Sequence, residues 1–199
     1  RLQMRLRQLQ QQRFLRRQPR QRQGRGLLHP AVAKRFAALV ALDLDWHFIG
    51  PLQSNKTRAV AETFAWVHSI DRLKVAERLS GQRPNSLPAL QVCIQVNVSG
   101  ETSKSGVSPD EASALAHGVA ELPHIQLRGL MTIPEPVDDF ARQRAAFRRV
   151  RGVFERLNKE GLSLDTLSMG MSHDLEAAIA EGATMVRVGT AIFGERNKA

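Results

Sequence analysis

A chain of 199 residues, 42% apolar and 24% charged, has the composition of a globular protein with room for one domain and a substantial core. No apolar run reaches the ~20 residues that cross a bilayer, so an integral helical membrane protein is excluded. A single cysteine, Cys93, excludes an intramolecular disulfide framework and suits a reducing, cytoplasmic compartment. The net charge of +10 points at first to a nucleic-acid partner.

The placement of that charge redirects the inference. Residues 1–26 carry nine Arg, no Lys and no acid, and the first acid anywhere is Asp43. The other 173 residues hold 20 basic and 19 acidic side chains. Nine uncompensated cations favour a solvated segment. Residues 1–30 therefore read as a basic Arg/Gln-rich leader, a tail or sequence foreign to the fold, ahead of a nearly neutral domain over 31–199. Its functional alternatives are an RNA-binding arm, a membrane-surface arm or a targeting peptide.

From residue 31 the texture is globular. AVAKRFAALVAL (31–42) predicts an apolar helix. Asp45–Ile49 predicts a short strand stopped by Gly50-Pro51. A helix is expected over 54–65, a strand over 66–70, and a helix from an Asp71 N-cap to Leu79, broken at Gly81. Residues 91–98 alternate as a strand. Ser108-Pro109-Asp110-Glu111 is a helix-start signature for a helix to about Glu121. A strand over 125–133, a helix over 138–159 ended by Gly161, a strand over 164–169, a helix over 174–180 and a strand over 185–189 follow. Thr190–Gly194 closes as a Gly-bounded turn. Six strands separated by helices predict parallel pairing, hence an α/β barrel or a doubly wound sheet.

In either architecture ligands bind at the carboxyl ends of strands. Ser172, with the N–H groups of Asp174 and Leu175, is a candidate anion site, or it only caps its helix. Gly189-Thr190 can bring backbone N–H groups to a phosphate, or only turn the chain. Lys56 and Lys104 follow strands in polar loops and are either anion contacts or solvated lysines. Six His residues show no metal-ligand spacing, and no G-x-S-x-G or Walker loop occurs. Cys93, mid-strand, reads as core packing.

Five stretches carry a resemblance: WHFIGPLQSNK (46–56), SKSG (103–106), RGLM (128–131), LSMGMSHD (167–174) and RVGTAIFG (187–194). Over residues 31–197 the chain resembles the pyridoxal phosphate homeostasis protein family, single-domain relatives of the alanine racemase barrel. The resemblance implies a (β/α)₈ barrel of TIM type holding pyridoxal 5′-phosphate (PLP) at its C-terminal mouth. Ser172, Gly189 and Thr190 are then implied at the phosphate and Arg187 at the pyridine nitrogen, with Met171, Lys56 and Lys104 the other cofactor-binding candidates. It implies a cofactor carrier without catalysis, with PLP and PLP-requiring enzymes as partners, no membrane and a monomeric state.

The family begins with a strand carrying its cofactor-bearing lysine in a V-S-K-T context and a second strand ending in F-G-E-N-Y. Neither stretch is present, so the six strands correspond to the third through eighth of the barrel. Leu28-His29-Pro30 matches a family-like Asn-Tyr-Ile-Gln read in another frame, so the leader is expected to be an out-of-frame or misassigned start. An incomplete barrel with open edges is expected to be poorly stable, and PLP to bind weakly without that lysine. The rival functions are a PLP-dependent racemase or decarboxylase, and an RNA-binding protein acting through residues 1–26.

Overall fold

Parallel pairing between sequence neighbours organises the molecule. The computed structural model describes residues 44–100 and 105–194. The strands are β1 (His47–Phe48), β2 (Trp66–Ile70), β3 (Leu90–Gln95), β4 (Ile125–Met131), β5 (Thr166–Met171) and β6 (Met185–Arg187). They form one six-stranded sheet in the order β1-β2-β3-β4-β5-β6, every pair parallel. The crossovers carry α1 (Thr57–Thr63, entered through a 3₁₀ turn at Ser54–Lys56), α2 (Leu73–Gln82), α3 (Ala112–Ala120), α4 (Phe140–Lys159) and α5 (Leu175–Ala180), and α6 (Thr190–Phe193) follows the last strand. The chain divides into two compact units, Arg1–Asp45 and Trp46–Ala199, and all these elements belong to the second. The expected leader (1–30), the helix over 31–42 and Lys104 lie outside the described residues.

Strands covered on both faces need apolar residues on both faces. Thus Val67, His68, Ser69 and Ile70 of β2 are all buried, as are Val92, Cys93 and Ile94 of β3. Cys93 is core, as expected. The close approach of β4 and β5 requires a glycine, because a Cβ on Gly129 would lie 1.8 Å from the Thr166 carbonyl oxygen.

The Ser108 signature forms its capping box. Glu111 accepts from the Ser108 amide at 2.9 Å, and the Ser108 hydroxyl accepts from the Glu111 amide at 3.3 Å. On α4, Gln143, Phe147, Val150, Val153 and Leu157 recur at helical spacing and are buried. Asp139 caps this helix by accepting from the Arg142 amide at 2.7 Å. Its charge is anchored at α5, where buried Glu181 meets Arg144 at 2.7 Å and Arg148 at 3.0 Å.

Four local expectations are corrected. Asp71 does not cap α2: its carboxylate accepts from Arg72 at 2.9 Å, and the N-cap, Arg72, makes no side-chain cap bond. Gly81 lies inside that helix, which ends at Gln82. There buried Arg83 takes over, donating to the carbonyls of Ala61 (2.6 Å), Phe64 (2.7 Å) and Pro88 (2.9 Å), so one cation satisfies the open end of α1. β1 is two residues rather than five. Residues 190–193 form the helical turn α6 rather than an open turn.

Candidate functional site

The carboxyl ends of β5 and β6 lie side by side, with Met171 paired to Arg187. β5 runs to Met171, past the expected end at Met169, through Gly170 at φ +95°, where a Cβ would press on the Ala178 side chain at 2.6 Å. Beyond it the Ser172 hydroxyl accepts a hydrogen bond from the Ala191 amide at 3.3 Å. Ser172 therefore does not cap its own helix. It ties the loop after β5 to the first turn of α6, beside Thr190 and Gly189. A Cβ on Gly189 would meet nothing within 4 Å, so the backbone there faces open space.

The expected contribution of the Asp174 amide is corrected. That N–H donates to the Met171 carbonyl at 3.2 Å, while the Met171 amide donates to the Asp174 carboxylate at 2.6 Å. The turn is closed on itself, so of the two amides expected to face an anion the Asp174 one is already bonded within the turn.

Arg187 closes the site from the interior. Its Nη1 donates to the Ser168 carbonyl (2.7 Å) and hydroxyl (2.9 Å), and its Nη2 donates to the Thr132 carbonyl (2.9 Å). Its Nε–H is buried and has no partner among the described residues. Burial lowers the Arg187 pKa, but a guanidinium starts high enough to stay charged. Behind it, the Ser168 hydroxyl lies 2.9 Å from His68 Nδ1, and His68 Nε2 lies 2.8 Å from His47 Nδ1. His68 is fully buried, and its pKa is lowered to about 3, by burial first and then by the charges of His47 and Arg187.

Of the residues expected at the site, Ser172, Gly189, Thr190, Met171 and Arg187 come together where β5 and β6 end. Met171 is an exposed rim residue. Lys56 ends the 3₁₀ turn after β1, half-buried. His47, His68, Ser168 and Thr132 were not foreseen. Period-2 spacing puts His68 on the face of Trp66 and Ile70, but nothing local signals Ser168, one hundred residues away.

Residues 33–197 match the family model for the alanine racemase N-terminal domain. A pyridoxal phosphate homeostasis protein of Pseudomonas aeruginosa is 62% identical over 174 residues, covering 87% of this chain and 74% of that protein. The chain belongs to the pyridoxal phosphate homeostasis protein family. The Escherichia coli K12 protein of that name is 55% identical over 164 residues, covering 82% of this chain and 70% of its own length. Among solved structures, PipY of Synechococcus elongatus, with PLP bound, superposes with a TM-score of 0.73 at 39% identity, covering 82% of this chain and 77% of PipY. The six parallel strands with alternating helices thus form part of the barrel of this family, and the α/β expectation stands. Among the described residues no helix is long and apolar enough to cross a membrane.

Proposed function

We propose that this chain binds PLP at the carboxyl edge of β5 and β6 and serves in PLP homeostasis as a cofactor-holding protein rather than a catalyst. The observation that carries the reading is Arg187, a half-buried cation fixed by three hydrogen bonds whose buried Nε–H has no acceptor among the described residues. An unprotonated pyridine nitrogen is such an acceptor. The Ser172 hydroxyl, the Gly189 backbone, which faces open space, and exposed Thr190 suit the phosphate. The residues present therefore fit the group.

Bound PLP supplies an electron-withdrawing ring that is strongest when its nitrogen is protonated. Arg187 opposes that protonation, because a fixed cation beside a basic nitrogen disfavours a second positive charge. A site built this way holds the cofactor while weakening the electron sink that catalysis uses. PLP-requiring enzymes are then the receivers and the cytoplasm the compartment, with the binding unit in 31–199 and the basic leader outside it.

Equilibrium dialysis with PLP and with pyridoxal, which lacks the phosphate, tests the reading. PLP is retained and pyridoxal is held much more weakly. Equal weak retention of both ends it. Borohydride reduction with peptide mapping shows whether Lys56 or Lys104 bonds the cofactor covalently, and measurable racemisation or decarboxylation by the loaded chain would restore the enzymatic alternative.

A further inference from the structure

The polar chain behind Arg187 has a single consistent direction. A guanidinium only donates, so the Ser168 hydroxyl accepts from Nη1. The hydroxyl hydrogen then goes to the atom 2.9 Å away, His68 Nδ1. With Nδ1 accepting, the ring hydrogen of neutral His68 is on Nε2, where it donates to His47 Nδ1 at 2.8 Å. The opposite tautomer would leave the hydroxyl hydrogen of Ser168, itself fully buried, with no acceptor among the described residues. Four groups on β1, β2, β5 and β6 thus share one hydrogen-bond orientation.

We propose that His68 and Ser168 are positioning residues that fix the guanidinium of Arg187 so that its Nε–H remains as the donor for a ligand. Three hydrogen bonds occupy both hydrogens of Nη1 and one of Nη2. Ser168 contributes two of the three acceptors, and its hydroxyl plays that part with its own hydrogen satisfied only while His68 Nδ1 takes that hydrogen. Buried polar networks of this kind specify one geometry when every member is satisfied. The inference rests on the PLP reading for the identity of the ligand, but the geometry it claims belongs to the ligand-free protein.

Nitrogen-15 NMR of the whole chain separates the two. In the free protein His68 is expected as the Nε2–H tautomer, with an unprotonated Nδ1 that accepts a hydrogen bond. Ser168→Ala and His68→Leu are expected to speed exchange of the Arg187 Nε–H about tenfold or more, the equivalent of one lost hydrogen bond. His68→Asn, whose carbonyl can stand where Nδ1 stood, restores slow exchange, which a purely space-filling role for His68 does not predict. Circular dichroism confirms that each variant is folded, and the near-isosteric Ser168→Ala decides the matter if His68→Leu is not. An Nδ1–H tautomer, or unchanged exchange in Ser168→Ala, overturns the positioning claim whatever PLP does. On adding PLP, the Arg187 Nε–H resonance shifts in the wild type. PLP binding without that shift overturns the assignment of Nε–H to the ligand. Failure of PLP to perturb any resonance instead sinks the cofactor reading, and leaves the ligand-free claim to be judged on exchange.

Discussion

The Ser172 hydroxyl lies 3.3 Å from the Ala191 amide, nineteen residues further along the chain, and joins the loop that leaves β5 to the helical turn that leaves β6. The amide of a first helical turn is an open donor, and a phosphate oxygen can replace or share the hydroxyl there. Ser172→Ala is expected to raise the Kd for PLP about tenfold, the value of one hydrogen bond to a charged group, and to leave the Kd for pyridoxal unchanged. Isothermal titration of both ligands checks it, and equal losses for both would show that Ser172 supports the fold instead of the phosphate.

Glu181 is almost fully buried between Arg144 and Arg148, and the hydrogen bond from Arg148 is foremost in holding its carboxyl below the ordinary 4.5. The sign follows directly: the unfolded chain takes up the proton first, so this stabilisation is whole above about pH 4.5 and fades as pH falls through the lowered value. Because both arginines are well exposed, Glu181→Gln is expected to cost about 1–2 kcal/mol at pH 7, less than a fully buried pair would. Urea denaturation at pH 7 and pH 3.5 measures both effects, and the gap between variant and wild type should narrow at the lower pH.

His68 acts in a different window. Its folded pKa of about 3 lies below the ordinary 6.5, so the unfolded state binds the proton first here too. Stability from this residue is complete above pH 6.5 and declines toward pH 3, by up to about 2 kcal/mol between pH 7 and pH 5. Glu181 is silent in that range. His68→Asn, which cannot titrate, is expected to flatten the pH 5–7 slope of the unfolding free energy, and an undiminished slope would assign it to another histidine.

Two glycine substitutions should move stability in opposite directions. Gly129→Ala forces a Cβ to within 1.8 Å of a strand backbone and is expected to abolish β4–β5 pairing, at a cost above about 3 kcal/mol. Gly152→Ala, in the middle of α4 with nothing within 4 Å of the new Cβ, is expected to gain about 0.5–1 kcal/mol. Thermal melts of the two variants against wild type are sufficient.

What could be read from the chain follows the range of each interaction. β2 spans 66–70 as expected, and the Ser108–Glu111 box works because its partners are three residues apart. Ser172, Gly189 and Thr190 stand out as candidates because strand ends followed by small or polar residues mark ligand edges in α/β sheets, while the role of Arg187 enters through the family resemblance. Asp71 misled because a neighbouring Arg72 competes for its carboxylate, and Gly81 because α2 packs well enough to carry a glycine near its end. The His68–Ser168 contact and the three carbonyls on Arg83 depend on register and on how the strands curve, which no local pattern encodes.

The strand order has a consequence for how the molecule is assembled. Since each strand pairs with the one made just before it, a nascent chain can add β2 through β6 one at a time to a growing edge, with no strand waiting for a distant partner. The bridge from His68 through Ser168 to Arg187 is the exception, since it joins the second strand to the fifth and sixth. It can close only after the last strand is in place, so the guanidinium of the proposed site is fixed only when the sheet is complete.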